Sequence, residues 1–144
     1  MYLVDTNIIS VGSPVWASAP SALVSWMEEN SAGLHLSAVT IAEVEDGIAK
    51  LRREKAGRKA AGLSAWLEAL LHLYGERVLS FGVEEARIAG ALSDGARAKG
   101  RSPGFADIVI AATASAHNLV LLTRNERHFK PLGVKTINPF DGLP

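Results

Sequence analysis

Tyr2-Leu3-Val4-Asp5-Thr6-Asn7 is the stretch on which the reading of the fold turns. Three residues suited to a strand stop abruptly on an acid, a hydroxyl and an amide, the residue types that leave a strand and cap a helix. Ile8-Ile9 then begin a short helix, which the Gly12-Ser13-Pro14 breaker interrupts. The same change of pattern recurs along the chain. Leu34-His35-Leu36-Ser37, Val78-Leu79-Ser80-Phe81, Val120-Leu121-Leu122 and Lys135-Thr136-Ile137 read as further strands.

Helical patterns fill the intervals. Residues 21–29 carry Leu23, Trp26 and Met27 on one face. The stretch after Ser37 repeats Val39, Ala42, Ile48 and Leu51, with Val44 beside them; Thr40 and Glu43 have capping-box spacing, and Ser37 is an equally good cap. Residues 59–74 carry a stripe from Leu63 to Leu71 that includes Trp66. Residues 83–99, with a small-residue face of Ala86, Ala89 and Ala96, and residues 105–117 are the next helices. A helical turn follows over 124–129. Strands separated by helices, without hairpin turns, predict an α/β fold: one domain over 1–144, a parallel sheet of about five strands, and helices on both faces. In such sheets ligands bind beyond the carboxyl ends of the strands. Functional residues are therefore expected just after strand ends or in the first turns of the helices that follow.

Composition narrows the chemistry. The 144 residues are 48% hydrophobic and 21% charged, enough apolar material for a core and too little charge for a disordered chain. The absence of cysteine excludes a disulfide scaffold, a thiolate zinc site and a cysteine nucleophile. No stretch is long and apolar enough for a membrane span, and Asp5 interrupts any leader-like start, so a cytoplasmic protein is expected. A mean hydropathy of +0.15 hints at surface buried against a partner. Trp16, in a breaker-rich segment, is the best candidate for such a contact. The net charge of zero, 15 Lys and Arg against 15 Asp and Glu, argues at first against a polyanion-binding protein.

Position changes that inference. Asp5 follows the first strand, Glu43 lies about one turn into the helix after the second, and Asp107 lies in the first turn of the helix before the fourth. Each has an ordinary reading: Asp5 as a helix cap, Glu43 as a solvated or capping residue, Asp107 as a complement to the helix dipole. Their joint placement at one end of one sheet gives a second. Clustered carboxylates raise one another's pKa and ionise together when a cation is present, and oxygen ligands of this kind suit Mg²⁺ or Mn²⁺. The four histidines are scattered, with no metal-ligand spacing; they read as structural, His128 being the best exception.

Val4-Asp5-Thr6-Asn7, then Glu43 within Ser37-Ala38-Val39-Thr40-Ile41-Ala42-Glu43 with Gly47 four later, resemble the opening motifs of PIN-domain nucleases. Asp107 within residues 105–114 resembles that family's third block, and Leu122-Thr123-Arg124-Asn125 with Phe129 its fourth. The set spans nearly the whole chain and is most similar to VapC toxins of the FitB-like group. The resemblance implies a metal-dependent endoribonuclease, neutralised by a small VapB-like antitoxin. It also implies a homodimer, a toxin–antitoxin hetero-oligomer, and a groove among the early helices that receives the antitoxin.

Carried over, Asp5, Glu43 and Asp107 are the Mg²⁺ (or Mn²⁺) ligands and, with Asn125, the catalytic residues. Asn125 stands where many members have Asp; it can lend one oxygen or hold a metal-bound water but brings no charge. Glu126 beside it would point about 100° away on a helical turn. A metal on the three acids would polarise a scissile phosphate and activate a water for in-line attack.

Thr6 and Thr123 follow strands one and four, where their hydroxyls can orient an acid, bind phosphate or serve a local cap. Asn7 reads as a cap. Substrate RNA requires cations, and the run from Lys50 to Lys59, with Arg52 and Arg53, is either a solvated helix end or a phosphate-tracking rim beside Glu43. Arg97, Lys99, Arg101, Arg124 and Arg127 are further candidates. Two other classes remain in view: a catalytically silent PIN-like module that binds RNA or protein, and a metal-dependent phosphatase. The second is disfavoured by the lack of a second Asp two residues after Asp5 and of a glycine-rich phosphate loop.

Overall fold

In the computed structural model, which describes residues 1–16 and 18–144, five parallel strands form one sheet in the order β3-β2-β1-β4-β5. They are β1 (Tyr2–Val4), β2 (Leu34–Ser37), β3 (Val78–Leu79), β4 (Val120–Leu122) and β5 (Thr136–Ile137). The helices are α1 (Thr6–Ile9), α2 (Ser21–Glu29), α3 (Ala38–Arg53), α4 (Gly57–Tyr74), α5 (Val83–Ala98), α6 (Phe105–Ala116) and α7 (Glu126–Phe129). The register sets Leu3 against Leu121 and Val4 against Leu122.

Because strand side chains alternate, these two central strands feed both faces. Val4 and Leu122 join Leu34, Leu36, α3 and α4 in one core, while Leu3 and Leu121 join α5, α6 and Phe129 in the other. Each of the four is fully buried, contributing about 1.5–3 kcal/mol. Helix α6 is buried continuously from Ile108 to Ala114, as its apolar sequence requires. Its first turn stays at the surface and carries Asp107.

Of the two caps the spacing allows for α3, Ser37 serves: its hydroxyl accepts from the Val39 N–H at 3.2 Å, and Thr40 is buried inside the helix. Other expectations are corrected. The third strand ends at Leu79 rather than Phe81, which turns outward against Phe105. Asp5, not Asn7, caps α1. Trp16 is half-buried, with the Arg124 guanidinium 5.7 Å from its ring centroid. Among the described residues no helix is long and apolar enough to cross a membrane.

Candidate active site

The chain leaves β1 towards β2 and β3, then crosses back to lay β4 on the other side of β1. Connections diverge there, and a crevice opens beyond the carboxyl ends of the two strands. Asp5 and Thr123 are the first residues past those ends. The Asp5 N–H continues the ladder by donating to the Leu122 carbonyl at 2.9 Å. Its side chain meets three donors. The Thr6 N–H reaches Oδ1 at 2.8 Å; Asn7 Nδ2 and Thr123 Oγ1 reach Oδ2 at 2.9 and 2.7 Å. Asp5 is only 5% exposed, so these bonds replace the water its carboxylate has lost.

The bracing extends outward. Thr123 Oγ1 also accepts from the Asn125 N–H at 3.0 Å, and Asn7 Oδ1 accepts from the Arg124 N–H at 3.2 Å. On the other side, Thr6 Oγ1 donates to Glu43 Oε1 at 2.9 Å and lies 3.1 Å from Thr40 Oγ1. Helix α3 starts directly from β2, which brings its second turn, and Glu43, to the rim of the crevice. Asp107 approaches from α6, with His128 Nδ1 3.4 Å from its Oδ2.

The three acids share one electrostatic field. Burial pushes the Asp5 carboxyl above its ordinary 3.8, against the lowering effect of the Thr123, Thr6 and Asn7 hydrogen bonds, and the Asp107 charge raises it further. Glu43 is raised above 4.5, chiefly by partial desolvation although its outer edge is open to solvent. The Thr6 bond opposes that shift, while the charges of Asp5 and Asp107 add to it. Among the described residues, no three acids or imidazoles stand close enough together to enclose an ion as placed. The donor set, mutually repelling carboxylate oxygens, still fits a hard divalent cation in its chemistry.

The other candidates separate. Thr6 and Thr123 both spend their hydroxyls on carboxylates. Asn125 enters the network through its backbone N–H, while its exposed side chain lines an adjoining cleft with Arg124 and His128. Glu126 turns away and accepts from Thr136 Oγ1 at 3.0 Å. Arg124 tethers the crevice through its N–H, and its guanidinium lies 4.5 Å from the Phe140 ring centroid. Arg52 and Arg53 sit in the last turn of α3, nine and ten residues beyond Glu43 and so about 14–15 Å along the helix axis. They complement the helix dipole there.

Sequence reasoning missed Asn7 as part of the site. An amide offers a donor and an acceptor at once, and Asn7 uses both, on Asp5 and on the loop after β4. Its position two residues after Asp5 was the available signal.

The chain matches the family model of the PIN domain over residues 2–134. It belongs to the PIN-domain family. This PIN domain is 34% identical to the VapC ribonuclease Y4jK of Sinorhizobium fredii over 98% of its own length and 99% of the relative's. It is likewise 34% identical to toxin FitB of Neisseria gonorrhoeae, covering 97% and 99% of the two chains. The crystal structure of FitAcB from Neisseria gonorrhoeae superposes with a TM-score of 0.82 at 34% identity, over 97% of this chain and 99% of the other.

Proposed function

We propose that this PIN domain is the ribonuclease toxin of a toxin–antitoxin pair, hydrolysing RNA phosphodiester bonds in the crevice between β1 and β4. The observation that carries this reading is the Asp5 carboxylate, buried yet held by three donors and set in the field of Glu43 and Asp107. Relatives named VapC ribonuclease and toxin FitB support it.

Asp5, Glu43 and Asp107 are the residues that would hold Mg²⁺ or Mn²⁺. When bound, such an ion supplies Lewis-acid polarisation of a phosphate oxygen and acidifies water. The protein's own part is orientation. Thr123 and Asn7 fix Oδ2 of Asp5, Thr6 fixes Oε1 of Glu43, and the Asn125 N–H fixes the Thr123 hydroxyl. The Asp5 and Glu43 carboxylates would thus present preset oxygens to a cation. Asn125 belongs to the site through that backbone contact, and Arg124, beside it, offers a cation to substrate.

The antitoxin contact has support of its own. An apolar groove of about 200 Å³ lies among α1, α2 and α4, lined by Ile9, Val24, Met27, Trp66, Leu70 and Tyr74. Its chemistry suits an apolar segment of a VapB-like antitoxin.

The test is cleavage of a structured RNA by the purified protein with Mg²⁺ or Mn²⁺, repeated in chelator and with Asp5→Asn. Cleavage by the wild type, lost in both controls, is expected. RNA left whole under every metal condition would sink the nuclease reading.

A further inference from the structure

The cations that approach Asp107 are not those of α3. Lys99 and Arg101, in the loop between α5 and α6, face Arg127 of α7 and Lys130 just after it across a cleft of about 590 Å³. Pro131 completes the lining, and no acidic side chain contributes to it. An adjoining cleft shares Arg101, Arg127 and Pro131 with the first and is also lined by Asp107 and His128. Arg127 further borders the cleft that holds Arg124 and Asn125. The four cations thus form one wall-to-wall path that ends at an acid of the active site.

Their charge is free. Among the described residues, none of the four has a carboxylate within salt-bridge distance. Lys99 Nζ donates to the Pro131 carbonyl at 3.3 Å, which ties the two sides of the cleft together without neutralising either. Arg97, a neighbouring candidate, is instead paired with Asp94 at 3.4 Å. In a chain of zero net charge, four unpaired cations in one cleft are a segregation of charge rather than its average. The ordinary reading of surface cations is a solvated face. The continuity with Asp107 is what distinguishes these.

We infer that Lys99, Arg101, Arg127 and Lys130 form the track on which single-stranded RNA enters the site, its phosphates leading to Asp107. The inference rests on the ribonuclease reading for the substrate class but concerns binding alone. Flexible cations without paired aromatic rings in the cleft grip phosphates rather than bases, so the track is indifferent to sequence. Affinity along it falls steeply with salt, with a slope of about 0.7 per phosphate neutralised on a single strand.

The experiment measures fluorescence anisotropy of a short fluorescein-labelled single-stranded RNA across a salt series, in chelator so that no cutting intervenes. It compares the full chain with the variant Arg101→Gln/Arg127→Gln/Lys130→Gln and with Arg52→Gln/Arg53→Gln. Circular dichroism checks that each variant is folded, and single Gln substitutions stand in if the triple variant is not. The expected result is a salt slope shallower by roughly 2 for the triple variant, an affinity at least tenfold weaker at low salt, and no change for the α3 pair. With metal present, KM rises while kcat is nearly preserved.

Unchanged affinity and slope in the triple variant overturn the track, whether or not the protein cuts RNA. An equal loss in the Arg52 and Arg53 variant overturns it as well, since the charge would then act without regard to place. RNA binding that depends on the three substituted cations but leads to no cleavage with any metal supports the track and removes the nuclease reading.

Discussion

Thr123 Oγ1 donates to Asp5 Oδ2 at 2.7 Å, joining two residues that are 118 positions apart in the chain and stand just past the ends of the paired strands β1 and β4. The hydroxyl is completely buried and accepts from the Asn125 N–H on its other side. One hydroxyl therefore sets both the rotamer of the candidate acid Asp5 and the path of the loop after β4. That loop also carries Arg124, whose N–H rests on Asn7.

Thr123→Val removes the hydroxyl and keeps the branched shape. The Asp5 carboxylate loses one of its three donors and the Asn125 N–H loses its acceptor. The expected cost is about 1–3 kcal/mol in urea denaturation and about 10–100-fold in metal affinity or cleavage rate. Thr123→Ser should recover most of the activity. A Val variant as active as wild type would show that the hydroxyl positions nothing.

Glu43→Gln should make the metal-free protein more stable at neutral pH. The folded-state pKa of Glu43 is raised above 4.5, so ionisation is harder in the folded chain than in the unfolded one. Stability is therefore fullest below about 4.5 and declines as pH rises through the raised value. Gln keeps an oxygen for Thr6 and removes the charge that Asp5 and Asp107 repel. Solvent screening keeps the gain small, roughly 1–3 °C in Tm at pH 7, vanishing below the unfolded pKa. Thermal melts in chelator across pH test this.

Adding Mn²⁺ or Mg²⁺ should reverse that ranking. Binding to the folded state alone stabilises by about 2.7 kcal/mol at a hundred times Kd. The wild type is expected to gain in Tm on titration, and Asp107→Asn and Glu43→Gln to gain little. Asn125→Ala, whose backbone N–H survives, should respond as the wild type does. Equal metal responses in all four proteins would remove the three acids as the binding site.

Glu85→Gln should flatten the acid side of the stability curve. Glu85 is held below 4.5, first by its own backbone N–H, against a desolvation that raises it, then by the Gly82 N–H and by His117. A depressed folded pKa gives stability that is present above about 4.5 and is lost as pH falls through the lower value. The Glu85–His117 contact, 3.1 Å, ties the start of α5 to the end of α6. Urea midpoints measured from neutral to acidic pH should fall less steeply in the variant than in the wild type.

Much of the fold was legible because its signals are local. β2 and α2 have the bounds their patterns implied, and the buried run of α6 follows from its apolar sequence. The third strand was read too long because Phe81 and Val78 are both strand-favouring residues; the strand ends at Leu79, and Phe81 lies against Phe105 instead. The acids were legible by position, Asp5 just after a strand and Glu43 and Asp107 in the opening turns of helices, since a parallel sheet gathers such positions at one end. The run from Lys50 to Lys59 is one cluster in sequence, but the structure divides it between the end of α3 and the start of α4, and a helix carries its last turn away from its first at about 1.5 Å per residue.

Alternation of short apolar strands with helices determined by itself that this chain is a parallel α/β domain, with Asp5 just past a strand and Glu43 and Asp107 in the opening turns of helices. Periodicity and capping are properties of neighbours along the chain. The tertiary structure alone decided which hydroxyl serves which carboxylate, that Asn7 bridges two loops, and that Lys99 and Arg101 face Arg127 and Lys130. Those relationships depend on laying β4 beside β1 after more than a hundred residues, and no local pattern encodes a distance across such a crossover.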